Sequence, residues 1–158
     1  MVEDIGYTLG GLIAGEGCFS VARRQESFRD GSPRLRFVFA MSLADRDLAL
    51  LVALQQALHA GAIRHEPARS ERWLAQVVLT VTGERSHLRS TIPFCERFLL
   101  PSAKRVQFEQ WRDRLLEYRR RRSQLHPTGR SVCREPGCTG LVRGRGLCRH
   151  HYYLETGW

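Results

Sequence analysis

Lysine is nearly missing from this 158-residue chain: of its 25 basic residues 24 are arginine, and Lys104 stands alone. A GC-rich coding background explains that bias, and it makes the single lysine conspicuous. No apolar run approaches the roughly 18 to 20 residues of a membrane span. The N-terminus also lacks the basic-then-apolar layout of a secretion signal. The expectation is a cytoplasmic, nucleoid-associated protein that is not secreted and has no membrane partner. Five cysteines are an odd number, and with no export signal they do not make a disulfide framework. The length leaves no room for two full catalytic domains, so a large active site must come from one domain or from oligomerisation. With 42% hydrophobic and 26% charged residues, the chain can bury a core and is not a disordered tail.

What it has in excess is positive charge, +9 with a pI near 10.2. That calls for a polyanionic partner, nucleic acid before anionic membrane. The charge is unevenly spread: residues 1–118 balance to +2, whereas residues 119–158 carry 9 basic and 2 acidic side chains, a balance of +7.

Hydrophobic periodicity and turn residues divide the chain into elements. Asp4 to about Glu16 reads as a helix containing Gly6, Gly10, Gly11, Ala14 and Gly15. Each glycine costs a helix up to about 1 kcal/mol relative to alanine, so this many imply close backbone packing. Phe19–Arg24 and Leu35–Ser42 read as strands joined by a loop at Arg29–Pro33. In the second strand Leu35, Phe37, Phe39 and Met41 alternate with Arg34, Arg36, Val38, Ala40 and Ser42, giving a core face and a face that begins with two arginines. Asp45 suits the N-cap of a helix from Arg46 to about His59, ended by Gly61. A second hairpin is expected from Ala62–Glu66 and Trp73–Thr82, then a helical stretch from Glu84 to about Phe98 interrupted by Pro93, and a last helix from Pro101 to about Arg122. The order αββαββα with a further helix predicts an α+β fold, an antiparallel four-stranded sheet with helices on one face. The other face is then free and arginine-bearing. Residues 1–118 form this domain, 119–131 a basic linker, and 132–158 a second, small module.

Leu9 to Gly17 reads L-G-G-L-I-A-G-E-G, and here the sequence resembles the LAGLIDADG homing endonucleases, site-specific nucleases of mobile elements. Cys18–Val21 resembles the start of that family's first DNA-binding strand. Leu100, Pro101, Ser102, Ala103 and Lys104 stand where the family carries a basic residue near its active site, and Arg105, Phe108 and Trp111 resemble its closing helix. The resemblance covers roughly residues 4–118. Small residues at four-residue spacing let two helices approach until their backbones touch, and the chain has one copy of the motif. The resemblance therefore implies a homodimer, with Gly6, Leu9, Gly10, Gly11, Ile13 and Ala14 at the interface. It implies catalytic Glu16, paired with its symmetry mate and binding Mg²⁺ together with the Gly15 carbonyl, for hydrolysis of double-stranded DNA. Lys104 would stabilise the transition-state charge or polarise the attacking water. No small-molecule substrate is implied. Ala14 falls where the family often has an acid, and Leu43 where some relatives have a polar residue lining the water pocket. DNA contacts are expected from Ser20, Arg24, Arg34, Arg36, Arg64, Glu66, Arg72 and Gln76 on the sheet, and from Arg119, Arg120, Arg143 and Arg145 beyond it. A non-cleaving DNA-binding regulator, or an RNA splicing cofactor of the maturase kind, would keep these basic surfaces without needing Glu16 or Mg²⁺.

Cys133, Cys138, Cys148 and His151, separated by four, nine and two residues, form a Cys₃His set that suits structural Zn²⁺ in a module too small to fold on a core of its own. His150 is the alternative fourth ligand. The stretch from Gly146 to Tyr152 resembles small treble-clef-like zinc motifs appended to nucleases. Four protein ligands leave no open position, so the ion would be structural and not catalytic.

Overall fold

In the computed structural model the described residues are 2–27, 33–68, 74–125 and 132–156. They form two compact units, residues 1–115 and 116–158.

The first unit begins with α1 (Val2–Glu16), which runs directly into β1 (Gly17–Ser27). Gly17 makes that junction possible, because a Cβ there would lie 2.6 Å from the Ile13 carbonyl oxygen. After β2 (Pro33–Ala44) the chain turns through a short 3₁₀ segment (Asp45–Asp47) into α2 (Leu48–Leu58). Asp45 is therefore not the cap of this helix. Its N–H donates to the Ala75 carbonyl, its carboxylate lies 2.9 Å from His65 Nδ1, and the capping position falls to Asp47, which makes no side-chain capping bond. His59 takes a left-handed backbone (φ 47°) to end α2, followed by Gly61. β3 (Ala62–Glu66) and β4 (Gln76–Val81) make the second hairpin. Trp73, expected to open β4, lies outside the described residues, as does most of the expected loop at Arg29–Pro33.

All strand pairs are antiparallel, in the order β1-β2-β4-β3. Phe19, Phe37, Phe39, Met41, Val77, Leu79 and Val81 point to one face and are buried. Helices α1 and α2 pack on that face. The expected α+β layout is thus the observed one, with one sheet face covered and the other open.

The helical stretch after Gly83 is not interrupted at Pro93. It runs as α3 (Glu84–Ser86), a π turn (His87–Thr91) and α4 (Ile92–Phe98), with Pro93 in the first turn of α4. Proline lacks an N–H to donate, and widening the preceding turn is a recognised way for a helix to absorb such a defect. The π turn buries His87, whose Nε2 donates to the Phe37 carbonyl at 3.1 Å while Nδ1 lies 3.3 Å from the Thr91 hydroxyl. Arg105 donates to the carbonyls of Cys95, Glu96 and Leu99, closing the C-terminal end of α4. Ser102 Oγ accepts from the Arg105 N–H, capping α5 (Ala103–Leu125). On α5, Phe108 and Trp111 stack around Phe19, and the Trp111 indole donates to the Ser20 carbonyl at 3.0 Å. The run Arg119–Arg122, expected both to end the last helix and to begin the basic linker, is helical and belongs to α5; residues 126–131 lie outside the described residues.

The second unit contains β5 (Val142–Gly144), β6 (Leu147–Cys148) and α6 (Arg149–Thr156). Its buried core is Cys133, Leu147 and Cys148, with Cys138 and Tyr152 packed against them. Among the described residues no helix is long and apolar enough to cross a membrane.

Burial holds the His87 pKa below its ordinary 6.5, against the Phe37 carbonyl bond, which pulls it up. The unfolded chain therefore binds the proton more readily than the folded one. Stability from this group is full above about pH 6.5 and is lost as pH falls through that value toward the depressed folded pKa. Urea midpoints taken from pH 7.5 down to pH 5 should fall more steeply for the native chain than for His87→Phe.

Candidate nucleic-acid interface and metal centre

Strand register decides which side chains share the open sheet face. Ser20 pairs with Val38, Ala22 with Arg36, Ser42 with Val78, Ala44 with Gln76, and Arg64 with Val78 on its other side. Side chains of directly paired residues emerge on the same face. The open face therefore carries Ser20, Arg24, Arg34, Arg36, Arg64, Glu66 and Gln76, as the alternation predicts. Its middle holds Cys18, Ala40, Ser42, Val78 and Thr80, with Arg64 at the centre of the outer strand β3 and Arg34, Glu66 and Gln76 toward strand ends. Arg64 donates to Glu66 at 3.1 Å and the Ser42 hydroxyl to Gln76 Oε1 at 3.2 Å. Arg72 lies outside the described residues. No site role is expected for Ser42 or Thr80 from the sequence; strand alternation already sets Ser42 on the face of Arg34 and Arg36, and the pairing of β2 with β4 adds Thr80 to it.

Glu16 is the last residue of α1 and is exposed. A helix C-terminus carries partial negative charge from its unpaired carbonyls, and the last turn of α1 has no basic residue to offset it. The Glu16 carboxylate adds to that negative charge.

The motif residues of α1 divide into two sets. Gly6, Leu9, Gly10 and Ile13 are turned inward and buried. A Cβ on Gly6 would strike the Phe98 ring at 2.4 Å, and one on Gly10 would meet the Phe98 carbonyl oxygen at 2.1 Å. Those four, expected to face a second copy, instead lie on the inward side of α1, where Gly6 and Gly10 meet α4 of the same chain. Gly11 and Gly15 have nothing within 4 Å of a Cβ position and are exposed, and Ala14 is half-buried. Lys104 is half-buried in the first turn of α5. It shares a helix stripe with Phe108, Trp111 and Leu115.

In the second unit the sulfurs of Cys133, Cys138 and Cys148 and a ring nitrogen of His151 all lie within 4.8 Å of one another. His151 Nδ1 is 3.3 Å from Cys133 Sγ and 3.5 Å from Cys148 Sγ, and Cys138 Sγ is 3.8 Å from Cys148 Sγ. A tetrahedral Zn²⁺ with sulfur at about 2.3 Å and nitrogen at about 2.0 Å sets its ligand atoms about 3.5 to 3.8 Å apart, so the cage has the right size for that ion. His151, and not the exposed His150, joins the cluster. The backbone builds the cage from a turn in which Cys138 N–H donates to the Glu135 carbonyl, from the β5–β6 hairpin, and from the first turn of α6. Gly140 is needed inside it, since a Cβ would stand 2.7 Å from Cys148 Cβ. At Cys133 burial acts to raise the thiol pKa but is outweighed by bonds from the Cys148 and Glu135 backbone and from the His151 and Cys148 side chains, leaving it at about 6. At Cys138 a bond from the Gly140 backbone lowers the pKa, yet burial and the neighbouring Cys148 and Cys133 sulfurs leave it raised. One thiolate thus hinders the next, a conflict that a bound divalent cation removes.

Comparison with known proteins agrees with this architecture. The family model for LAGLIDADG endonuclease matches residues 9–115, two thirds of the chain, and the chain belongs to that family. Among solved structures, the I-LtrWI LAGLIDADG homing endonuclease bound to target DNA superposes with a TM-score of 0.68 at 20% identity, covering 78% of this chain and 40% of that one. The group I intron-encoded homing endonuclease I-CeuI, complexed with DNA, gives 0.64 at 18% identity over 77% and 58%. The meganuclease I-SmaMI, bound to uncleaveable DNA, gives 0.64 at 23% identity over 75% and 38%. The chain therefore spans less than two thirds of the length of each. A search of curated proteins returned no significant match.

Replacing Cys138 with Ser should abolish stoichiometric binding of one zinc per chain, measured by metal analysis after gel filtration. The Co²⁺-substituted native protein should show the visible d–d bands of a tetrahedral thiolate site, and the variant should lack them.

Proposed function

We propose that this chain is a homodimeric, site-specific endonuclease for double-stranded DNA, with Mg²⁺ at Glu16 and a structural Zn²⁺ in the second unit. The observation that carries the reading is the conjunction of Glu16 at the end of α1 with a bare glycine edge, Gly11 and Gly15, on the outward side of the same helix. Two copies apposed along that edge bring their helix backbones together and place the two Glu16 carboxylates side by side at the two-fold axis. A pair also supplies the second share of length that distinguishes I-LtrWI and I-SmaMI from this chain.

Mg²⁺ held there would ease hydrolysis by polarising a phosphate oxygen and activating water. The chain's own residues do the remainder. Glu16 and the Gly15 carbonyl supply hard oxygens for the cation. Lys104 supplies positive charge toward the reacting phosphate, and the packing of α5 supports that role. Phe108 and Trp111 both stack on Phe19, and Trp111 also meets Phe37, which pairs with Val21. Helix and strand therefore run in the same direction. One helical turn back from Phe108 covers about 6 Å, the length of about two strand residues, which takes Lys104 toward Gly17 and the Glu16 end of the strand.

The open face of the four-stranded sheet suits a major groove. Arg24, Arg36 and Arg64 offer donors for guanine edges or phosphates, and Gln76 an amide for adenine. Arg119 and Arg120 on α5, with Arg143 and Arg145, add charge that makes affinity fall steeply with salt. The chain is accordingly expected to act at nucleic acid, with no membrane and no small-molecule substrate.

Selection from randomised duplexes in Ca²⁺, followed by transfer to Mg²⁺, tests the reading. The native chain should make double-strand cuts at one recovered sequence, and Glu16→Gln should retain binding within a few-fold while losing cleavage by at least about a thousandfold. Capture without cleavage by the native chain would replace the endonuclease with a DNA-binding regulator. Gly11→Leu should convert the dimer to a monomer by light scattering; a persistent dimer would remove the helix edge from the interface.

A further inference from the structure

The hairpin of the second unit holds an arginine where the backbone disfavours one. β5 ends at Gly144 and β6 begins at Leu147, so the loop is Arg145-Gly146, with φ of 49° and 80°. Two residues at positive φ make the tight turn whose twist fits a hairpin, and Asn, Asp or Gly is the usual first residue. A long side chain is disfavoured at this left-handed position; at His59 the end of α2 accounts for the same backbone, whereas at Arg145 a glycine would serve the turn better. Gly144 and Gly146 flank Arg145, so the tip is slim. The ring of Tyr152, 3.1 Å from where a Gly144 Cβ would stand, supports its base.

The arginines on either side of the hairpin have local partners. Arg134 donates to Glu155 at 2.9 Å, and Arg149 lies over the Tyr153 ring at 5.8 Å. Arg143 and Arg145 are exposed, and among the described residues neither makes a hydrogen bond or ion pair. These two guanidinium groups, presented by a hairpin anchored to the cysteine cage, form a narrow cationic point that no described side chain pairs with.

We propose that the Arg145 tip enters the minor groove of DNA beside the recognition core and reads its width, favouring a narrow A·T-rich run. This inference rests on the DNA-binding reading above. The minor groove is about 6 Å wide, too narrow for a helix but open to a single arginine. It offers acceptors along A·T pairs, while G·C pairs place an amino group in the way. Narrow A·T tracts also concentrate negative potential that attracts an inserted arginine. Simple phosphate neutralisation would not require a strained position, since Arg119–Arg122 on α5 meets that need.

The test uses the full-length, zinc-loaded protein and duplexes that it selects from a randomised pool in Ca²⁺. These are remade with the pairs flanking the selected core set to A·T, G·C or inosine·C. Inosine keeps the major-groove edge of guanine and removes its minor-groove amino group. The native chain should bind A·T and inosine·C flanks alike, and both about tenfold more tightly than G·C flanks. Arg145→Gly, which suits the turn better than arginine does, should keep its zinc and the recognition core while reducing the flank preference to within twofold. Arg145→Asn, also tolerated at positive φ, should do the same if the glycine variant loses metal. Equal affinity for all flanks, inosine·C behaving as G·C, or an unchanged preference in the variants would overturn the inference while leaving DNA binding intact. Failure of the native protein to select any sequence would instead overturn the DNA-binding reading, and this inference with it.

Discussion

The first unit depends on how closely α1 can lie against α4 of the same chain. Gly10 faces the Phe98 carbonyl at a distance that no Cβ could occupy, and Gly17 does the same at the Ile13 carbonyl. The first contact seats the helix on α4; the second lets it become a strand without an intervening loop. Together they fix the position of Glu16 at the point where helix, sheet and open face meet. The motif glycines therefore serve two separate surfaces. Gly6 and Gly10 meet Phe98 of the same chain, while Gly11 and Gly15 remain bare on the outward side.

That division was not legible in the sequence. A run of small residues announces close packing but not which side meets what, because several glycines at adjacent turns face different directions. Assigning Gly6, Leu9, Gly10 and Ile13 to an interface with a second copy overlooked α4, whose arrival through a π turn has no simple periodic signature. The alternation of Phe37, Phe39 and Met41 with Arg36, Val38 and Ala40, by contrast, fixed both sheet faces in advance, since strand period leaves one choice. Asp45 shows the limit of local rules. Its residue type suits a helix cap, but a tertiary partner, His65, lies 2.9 Å from its carboxylate.

The Cys₃His spacing was fully legible because ligand chemistry is local: four residues around one turn, a hairpin and a helix start can reach one point. The preference for His151 over His150 is legible too, and the first turn of α6 agrees with it by turning that ring to the sulfurs. The last helix is legible through the run Arg119–Arg122, and α5 ends three residues on, at Leu125. Arginine is a good helix former, and α5 simply continues through it.

The +7 balance of residues 119–158 also bears on kinetics. Exposed arginines not paired with carboxylates act over about a Debye length, roughly 8 to 10 Å at physiological salt, before any contact forms. In the proposed role such charge accelerates encounter and lets a protein slide along a duplex between binding events. The time taken to find one site among many is then governed mainly by residues that take no part in cutting it.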